Sequence, residues 1–198
     1  MRSMIKEVRP GLRLHQYWGI TPVTEKEFDF HTFSQRHAVW INHNFPTTTP
    51  WEQVTGVMEE AGELAHAILK RQQGIRGTKE ALEAEMQDAI GDLLIYSNGV
   101  CRLQAWPAGH IILDTIEAFT PKGFDIPRIL ARINHSQSEL MINHVGNSLS
   151  TCQKAVQELV HWLCELCHLE GWNIIEILAT TWHGVVEKRD WRERPNGG

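Results

Sequence analysis

Two acidic stretches, Glu59-Glu60-Ala61-Gly62-Glu63 and Glu85-Met86-Gln87-Asp88-Ala89-Ile90-Gly91-Asp92, carry residues whose type and spacing suit cation binding. On a helix of 3.6 residues per turn, Glu60 and Glu63 share one face, and Glu85, Asp88 and Asp92 share another at i, i+3 and i+7. Two antiparallel helices would set these carboxylates against one another. At about 4 Å and an effective dielectric of about 20, each like-charged pair repels by about 4 kcal/mol, so such a cluster folds when cations sit between the oxygens. Oxygen ligands without cysteine suit Mg²⁺ or Mn²⁺. The plain alternative is a solvated acidic helix face. Against it stand Val57, Leu64, Ile68, Ile90, Leu93, Leu94 and Ile95, which crowd the same stretches and make the acids border a core.

The elements that must position these acids are all helical. Runs of β-branched residues at period 2 are nearly absent, whereas 3.6-residue patterns recur, and an all-α helical bundle follows. Thr49-Pro50-Trp51-Glu52 has an N-cap, a proline at the first helical position and a glutamate where a capping box needs one; the helix it opens runs over 50–73. Gly74-Ile75-Arg76-Gly77 ends that helix, and Thr78 caps the next, over 78–103. Gly91 and Gly99 lie inside it, which implies a close helix approach or a ligand. Further helices are expected over 27–42, 110–119, 127–145, 150–170 and 173–189.

The 198 residues, 42% hydrophobic and 22% charged, suffice for one domain, with an acid-bearing half over 27–106 and a second helical half over 107–191. The net charge of −5 argues against a nucleic-acid partner, because the one basic stretch is Lys188-Arg189 with Arg192 to Arg194. Those cations are placed to complement a helix C-terminus. No apolar run reaches membrane-span length, and the charges scattered through Met1 to Leu14 interrupt any signal-peptide core, so a cytoplasmic protein without a membrane partner is expected. Cys101, Cys152, Cys164 and Cys167 read as buried free thiols, since Cys164-x-x-Cys167 falls within a helical pattern and lacks a second pair for zinc.

Placing residues 85–106 on 151–172 aligns Gln87 with Gln153, Ala89 with Ala155, Leu93 with Leu159, Cys101 with Cys167, Leu103 with Leu169 and Trp106 with Trp172. A duplicated helix hairpin would produce this pattern, as would any two amphipathic helices slid into register. In that alignment Glu85 and Asp88 become Thr151 and Lys154. Upstream, where Gly62-Glu63-Leu64 would meet Ser138-Glu139-Leu140 across a shorter loop, Glu60 becomes Ser136, leaving Glu139 and Glu158 as the aligned acids of that copy. The second copy would keep packing and lose chemistry.

Glu60-x-x-Glu63, followed by an Asp-rich helix running into Gly91-Asp92-Leu93-Leu94-Ile95-Tyr96, resembles the MazG-type all-α nucleoside triphosphate pyrophosphohydrolases. Leu64-Ala65-His66-Ala67, the segment Lys70 to Gly77, Glu170-Gly171-Trp172-Asn173 and Lys188-Arg189-Asp190-Trp191 share the likeness. The resemblance implies Mg²⁺-dependent attack of water on the α-phosphorus of an NTP or dNTP, releasing a monophosphate and pyrophosphate in nucleotide-pool housekeeping. It further implies Glu60, Glu63 and Asp92 as metal ligands. The usual family pair is Glu-x-x-Asp, and the residue three before Asp92 is Ala89; Asp88 substitutes one position earlier, or Glu85-x-x-Asp88 is itself the pair.

Glu59 or Glu85 would accept the proton of the attacking water, and Lys70, Arg71 and Arg76 would reach phosphate oxygens or close over the site, although solvated loop charges explain them equally well. Trp40, His37 and Asn98 are candidates for contact with the base. Single-copy relatives associate, so a dimer or tetramer is expected.

Two other readings compete. Glu63-x-x-His66 and Glu165-x-x-His168 match the paired motifs of di-iron four-helix bundles, although that reading leaves Asp88 and Asp92 without a task. A non-catalytic regulatory bundle is the other, and the degenerate second half permits it.

Overall fold

The computed structural model describes residues 28–146 and 148–193. Met1 to Leu14, Glu27 and Arg194, which entered the readings of targeting, helix start and basic stretch, lie outside the described residues. Among the described residues every regular element is a helix: α1 (Phe30–Asn44), α2 (Pro50–Gln73), α3 (Lys79–Leu103), a π-helical turn (Gly109–Leu113) continuing into α4 (Asp114–Glu117), α5 (Ile126–Val145), α6 (Leu149–Glu170), α7 (Ile174–Gly184) and a 3₁₀ turn (Val186–Lys188). The protein is an all-α bundle.

Local sequence explains most boundaries. Asp29 caps α1 by accepting the N–H groups of His31 and Thr32 at 3.2 and 2.8 Å. At the start of α2 the Glu52 carboxylate takes the Thr49 N–H at 2.6 Å, which fills a donor the helix leaves open. Gly74 ends α2 in the left-handed region at φ 64°, and Thr78 Oγ1 caps α3 by accepting the Ala81 N–H at 3.2 Å. Asp125 and Asn173 serve α5 and α7 in the same way.

Three helices differ from the sequence reading by two residues or more. The first helix starts after its Asp29 cap and runs on to Asn44. The last helix stops at Gly184, because Val185 leaves helical geometry at φ −126°, ψ −65° and tertiary bonds take over the chain beyond it. Glu187 pairs with Arg36, the Trp40 indole N–H donates to the Arg189 carbonyl at 3.0 Å, and the Trp191 N–H donates to Asn44 Oδ1 at 2.7 Å. This tail is thus strapped along α1. Lys188 ends the 3₁₀ turn and Arg189 follows it as the C-cap, rather than ending a long α-helix, and the middle segment that reads as helix 110–119 begins in the π form and ends by Glu117.

The helices α2 and α3 form an antiparallel hairpin, with α5 and α6 as a second hairpin and α7 against α3. Val54, Val57, Leu64 and Ile68 of α2 meet Met86, Ile90, Leu93 and Leu94 of α3, all essentially inaccessible. That core continues without a break into Ile129, Ile133 and Leu140 of α5 and Val156, Leu159 and Leu163 of α6.

Three of the glycines inside the helices are contact points between helices, whereas Gly62 faces open space. A Cβ on Gly99 would strike the Gln53 amide, one on Gly56 the Tyr96 ring, and one on Gly91 the Thr181 hydroxyl. Gly56 and Gly99 thus ease the close approach of α2 and α3, and Gly91 that of α3 and α7.

The helices α3 and α6 end alike. The Trp106 N–H reaches the Cys101 carbonyl at 2.7 Å and the Trp172 N–H reaches the Cys167 carbonyl at 2.8 Å, each after a left-handed residue, Ala105 at φ 56° and Gly171 at φ 73°. Both cysteines are buried and free, as are Cys152 and Cys164. These closures favour glycine, and α3 makes its own with alanine. Ala105→Gly is therefore expected to raise stability by about 0.5–1 kcal/mol, since a left-handed Cβ costs about 1–2 kcal/mol and the freed unfolded chain returns part of it. Gly91→Ala should lower stability by about 1–3 kcal/mol through overpacking against Thr181. Denaturant midpoints of the two variants check both signs.

Candidate functional site

Close packing of α2 on α3 brings the two acidic faces together. Glu60, Asp88 and Asp92 are partly buried between the helices, while Glu59, Glu63 and Glu85 are exposed at the rim. Their ionisation reflects this. Burial, reinforced by Asp92, Glu63, Glu59 and Asp88, pushes the Glu60 carboxyl up to about 8. Burial followed by Asp88 pushes Asp92 up to about 7, with Arg189 opposing the rise. Asp88 is raised as well, by burial first and Glu63 after it, again against Arg189. The hairpin holds acids that resist ionising together.

Two cavities open on this acidic line. One, of about 330 Å³, is lined by Trp40, Phe45, Tyr96, Trp191 and His37, with Gln53 and Arg189 beside Glu60 and Asp92. The other, of about 520 Å³, is polar and lies further along the hairpin, among Glu59, Glu63, His66, Lys70, Glu85 and Asp88. Glu60 and Glu63 are about one turn apart on α2, and Asp92 and Asp88 about one turn apart on α3, so the cavities meet across the four acids.

The polar groups of the aromatic cavity are fixed from behind. The Ser34 hydroxyl donates to Asn98 Oδ1 at 2.9 Å, and the Asn98 amide donates to His37 Nδ1 at 2.8 Å. That bond places the imidazole proton on Nε2. Burial, with Arg102 adding to it, holds His37 down at about 3, so the ring is neutral. Gln53 lies over Gly99 with its side chain confined, and Tyr96 fills the space that Gly56 leaves. Burial, then Glu60 and Asp92, pushes the Tyr96 phenol up to about 12, which keeps it a proton donor.

The remaining wall comes from the tail after α7. The bonds that strap it along α1 carry Arg189 and Trp191 to the cavity, and the Arg189 charge acts on Asp88, Asp92 and Tyr96. Sequence reasoning took Arg189 for a helix-end cation and gave Trp191 no role. The usable signal was an arginine and a tryptophan two residues apart beyond a glycine that ends a helix.

Of the residues singled out from sequence, Glu59, Glu63, Glu85, Asp88 and Lys70 meet in the polar cavity and Glu60 and Asp92 in the aromatic one. Lys70 Nζ lies 2.8 Å from the Glu85 carboxylate. Arg71 is placed elsewhere: its guanidinium forks onto Glu170 of α6 and approaches Glu83 at 3.9 Å, tying the hairpins together. Arg76 sits exposed in the 74–78 turn at φ 60° and lines neither cavity. Glu165 of the second Glu-x-x-His motif is buried and accepts the Lys122 backbone N–H at 2.9 Å, while His168 is exposed beside Phe119. Glu63 lines the polar cavity and Glu165 does not.

The four acids facing across the hairpin offer carboxylate oxygens, the chemistry that suits Mg²⁺ or Mn²⁺, with the His66 imidazole beside them in the polar cavity. Among the described residues no three His, Cys, Asp or Glu side chains converge closely enough to hold a metal ion as they stand. No helix among them is long and apolar enough to cross a membrane. Compared with protein-family models, curated proteins and solved structures, the chain matches none.

Glu60 and Asp92 both have folded values above their ordinary 4.5 and 3.8, so the folded state holds their protons more tightly than the unfolded chain does. Their contribution to stability is complete below the ordinary values and is lost as pH rises through about 7 to 8. The melting temperature of metal-free protein should therefore fall between about pH 5 and about pH 9, and millimolar Mg²⁺ should restore it mainly at the alkaline end. At about pH 8.5 without metal, Glu60→Gln should melt higher than the parent, since it removes a buried charge. A flat profile with no response to Mg²⁺ would show that the acids are not desolvated together.

Proposed function

We propose that the chain is a Mg²⁺-dependent nucleoside triphosphate pyrophosphohydrolase of the MazG-like kind, converting an NTP or dNTP and water into the monophosphate and pyrophosphate. One observation carries this reading: acids on two facing helices, the partly buried Glu60, Asp88 and Asp92 with Glu63 exposed at the rim, border an aromatic cavity on one side and a polar one on the other. The aromatic cavity fits a nucleobase, with ring faces from Trp40, Phe45, Tyr96 and Trp191 and hydrogen-bonding edges from His37 Nε2–H and the Gln53 amide.

Glu60, Glu63, Asp88 and Asp92 would hold the cations. When bound, Mg²⁺ supplies neutralisation of the triphosphate charge and a more acidic water. The protein's own groups do the rest. The aromatic walls seat the base and exclude water from it, and Arg189 sets a fixed positive charge beside the acids to balance phosphate oxygens. The water oxygen bonds to the α-phosphorus as the bond from that phosphorus to the bridging oxygen breaks. The electron pair departs on pyrophosphate. The water proton passes to Glu59, exposed at the rim of the polar cavity; Glu85, the other candidate base, is already engaged by Lys70.

Pyrophosphate and monophosphate release from a panel of ordinary and modified triphosphates with Mg²⁺ tests this. Turnover should appear with at least one base and fall by at least about 100-fold in Glu60→Gln and in Asp92→Asn. Folded protein that releases pyrophosphate from no triphosphate would sink the reading and leave a non-catalytic bundle in its place.

A further inference from the structure

The second half of the chain carries a hollow that neither acidic face borders. It measures about 600 Å³ and is walled by the π-helical turn with α4, the loop 118–122 and α6. The acids in and around it are already engaged. Asp114 Oδ2 holds His110 Nδ1 at 2.8 Å, and Glu158 lies 3.8 Å from the Lys154 ammonium. Glu165, only 1% exposed, accepts the Lys122 backbone N–H at 2.9 Å. The donors are left over. Among the described residues the Lys122 ammonium, the Thr120 hydroxyl, the Gln157 amide and the His161 ring make no hydrogen bond or ion pair.

These donors are held in place from behind. Gln157 and His161 are four residues apart on α6 and share one face, and Glu165, four residues further on, anchors the loop to that helix through Lys122. The loop is shaped locally as well, with Pro121 restricting its own φ and Gly123 turning in the left-handed region at φ 73°. Phe119 gives the apolar wall, its ring edge-on to His161 with centroids 5.5 Å apart. Burial, followed by the Lys122 charge, holds the His161 imidazole below its ordinary value against Glu165 and Glu158, so at neutral pH the ring is uncharged and offers one N–H. Two imidazoles and a carboxylate in one hollow would suit zinc, but no three such side chains converge among the described residues. A fixed positive charge, an amide, a hydroxyl and a ring N–H instead call for an anion with several acceptor oxygens, and a phosphate group has both the number and the charge.

We propose that this hollow is an anion site, taking a phosphate group on the Lys122 ammonium, the His161 N–H and the Gln157 amide, with Glu165 as the residue that positions Lys122. The phosphate is either free or the head of a small monoester whose apolar part lies on Phe119, and both present the same oxygens. None of these residues lines either cavity of the acidic hairpin, so the site is independent of the pyrophosphohydrolase reading and stands if that reading falls. The half that lacks opposed acids thus has chemistry of its own.

Imidazole resonances of the full chain, recorded in EDTA so that the acidic hairpin holds no cation, test this with inorganic phosphate and phenyl phosphate against sodium chloride of equal ionic strength. The His161 signal, assigned by its loss in His161→Gln, should move with phosphate and saturate. It should also titrate at a higher pH once the anion is bound, since a neighbouring negative charge favours the imidazolium. Circular dichroism establishes that each variant is folded. Lys122→Met should weaken phosphate binding by about tenfold or more, the size of one charged hydrogen bond, and Lys122→Arg should keep most of it. Glu165→Ala frees the loop and should cost as much as Lys122→Met. Glu165→Gln keeps an acceptor for the Lys122 N–H and should retain binding, a rescue that separates positioning from charge. Tighter binding of phenyl phosphate than of inorganic phosphate would assign the monoester, and equal binding the free ion. A His161 signal that follows sodium chloride as closely as phosphate, or phosphate affinity unchanged in Lys122→Met, would overturn the proposal.

Discussion

Everything in this molecule is arranged around a repulsion. Tight closure of α2 on α3, permitted by Gly56 under Tyr96 and Gly99 under Gln53, drives Glu60 and Asp92 out of water and against each other. Carboxylates so placed favour protons or cations over remaining charged together, because partial burial weakens the screening that water gives them. The bundle supplies some positive charge of its own, with Lys70 on Glu85 within the hairpin and Arg189 from the far end of the chain. The shortness of α7 belongs to the same arrangement. Had the helix run on past Gly184, Arg189 would have travelled with it, away from the bonds to Trp40 that hold its backbone beside the cavity.

The two hairpins show how packing and charge are separable. Both end in the same backbone closure, Trp106 on Cys101 and Trp172 on Cys167, and both feed one continuous core. Only the first carries the opposed acids. Where the first hairpin has Glu60 and Asp88, the aligned positions of the second hold Ser136, buried, and Lys154, exposed and 3.8 Å from Glu158. The second hairpin thus keeps the build with fewer acids, Glu139 and Glu158 among them.

Much of this was legible beforehand, for local reasons. Caps and breakers are short-range chemistry, so Thr49-Pro50, Gly74, Thr78 and Gly171 marked helix ends that the structure places within a residue or two. The acidic faces were legible because i, i+3 and i+7 spacing is a property of one helix at a time. What stayed hidden is long-range. Nothing near Arg71 in the chain indicates that Glu170, 99 residues away, would occupy its guanidinium. Nothing near Trp191 indicates that Asn44 would hold its backbone, 147 residues distant. The aromatic cavity is assembled from α1, α2, α3 and the tail, and no single stretch contains enough of it to be recognised.

The Arg71 fork has a consequence for how the chain could be divided. It grips Glu170 at the C-terminal end of α6 from the C-terminal end of α2, while Glu83 of α3 lies close to the same guanidinium. A piece cut after residue 106 would lose Glu170 and α7, and with α7 the tail that forms a wall of the aromatic cavity. The half without opposed acids thus serves as the brace of the half that has them. Minimisation of this molecule to its acidic hairpin would remove the supports rather than the surplus.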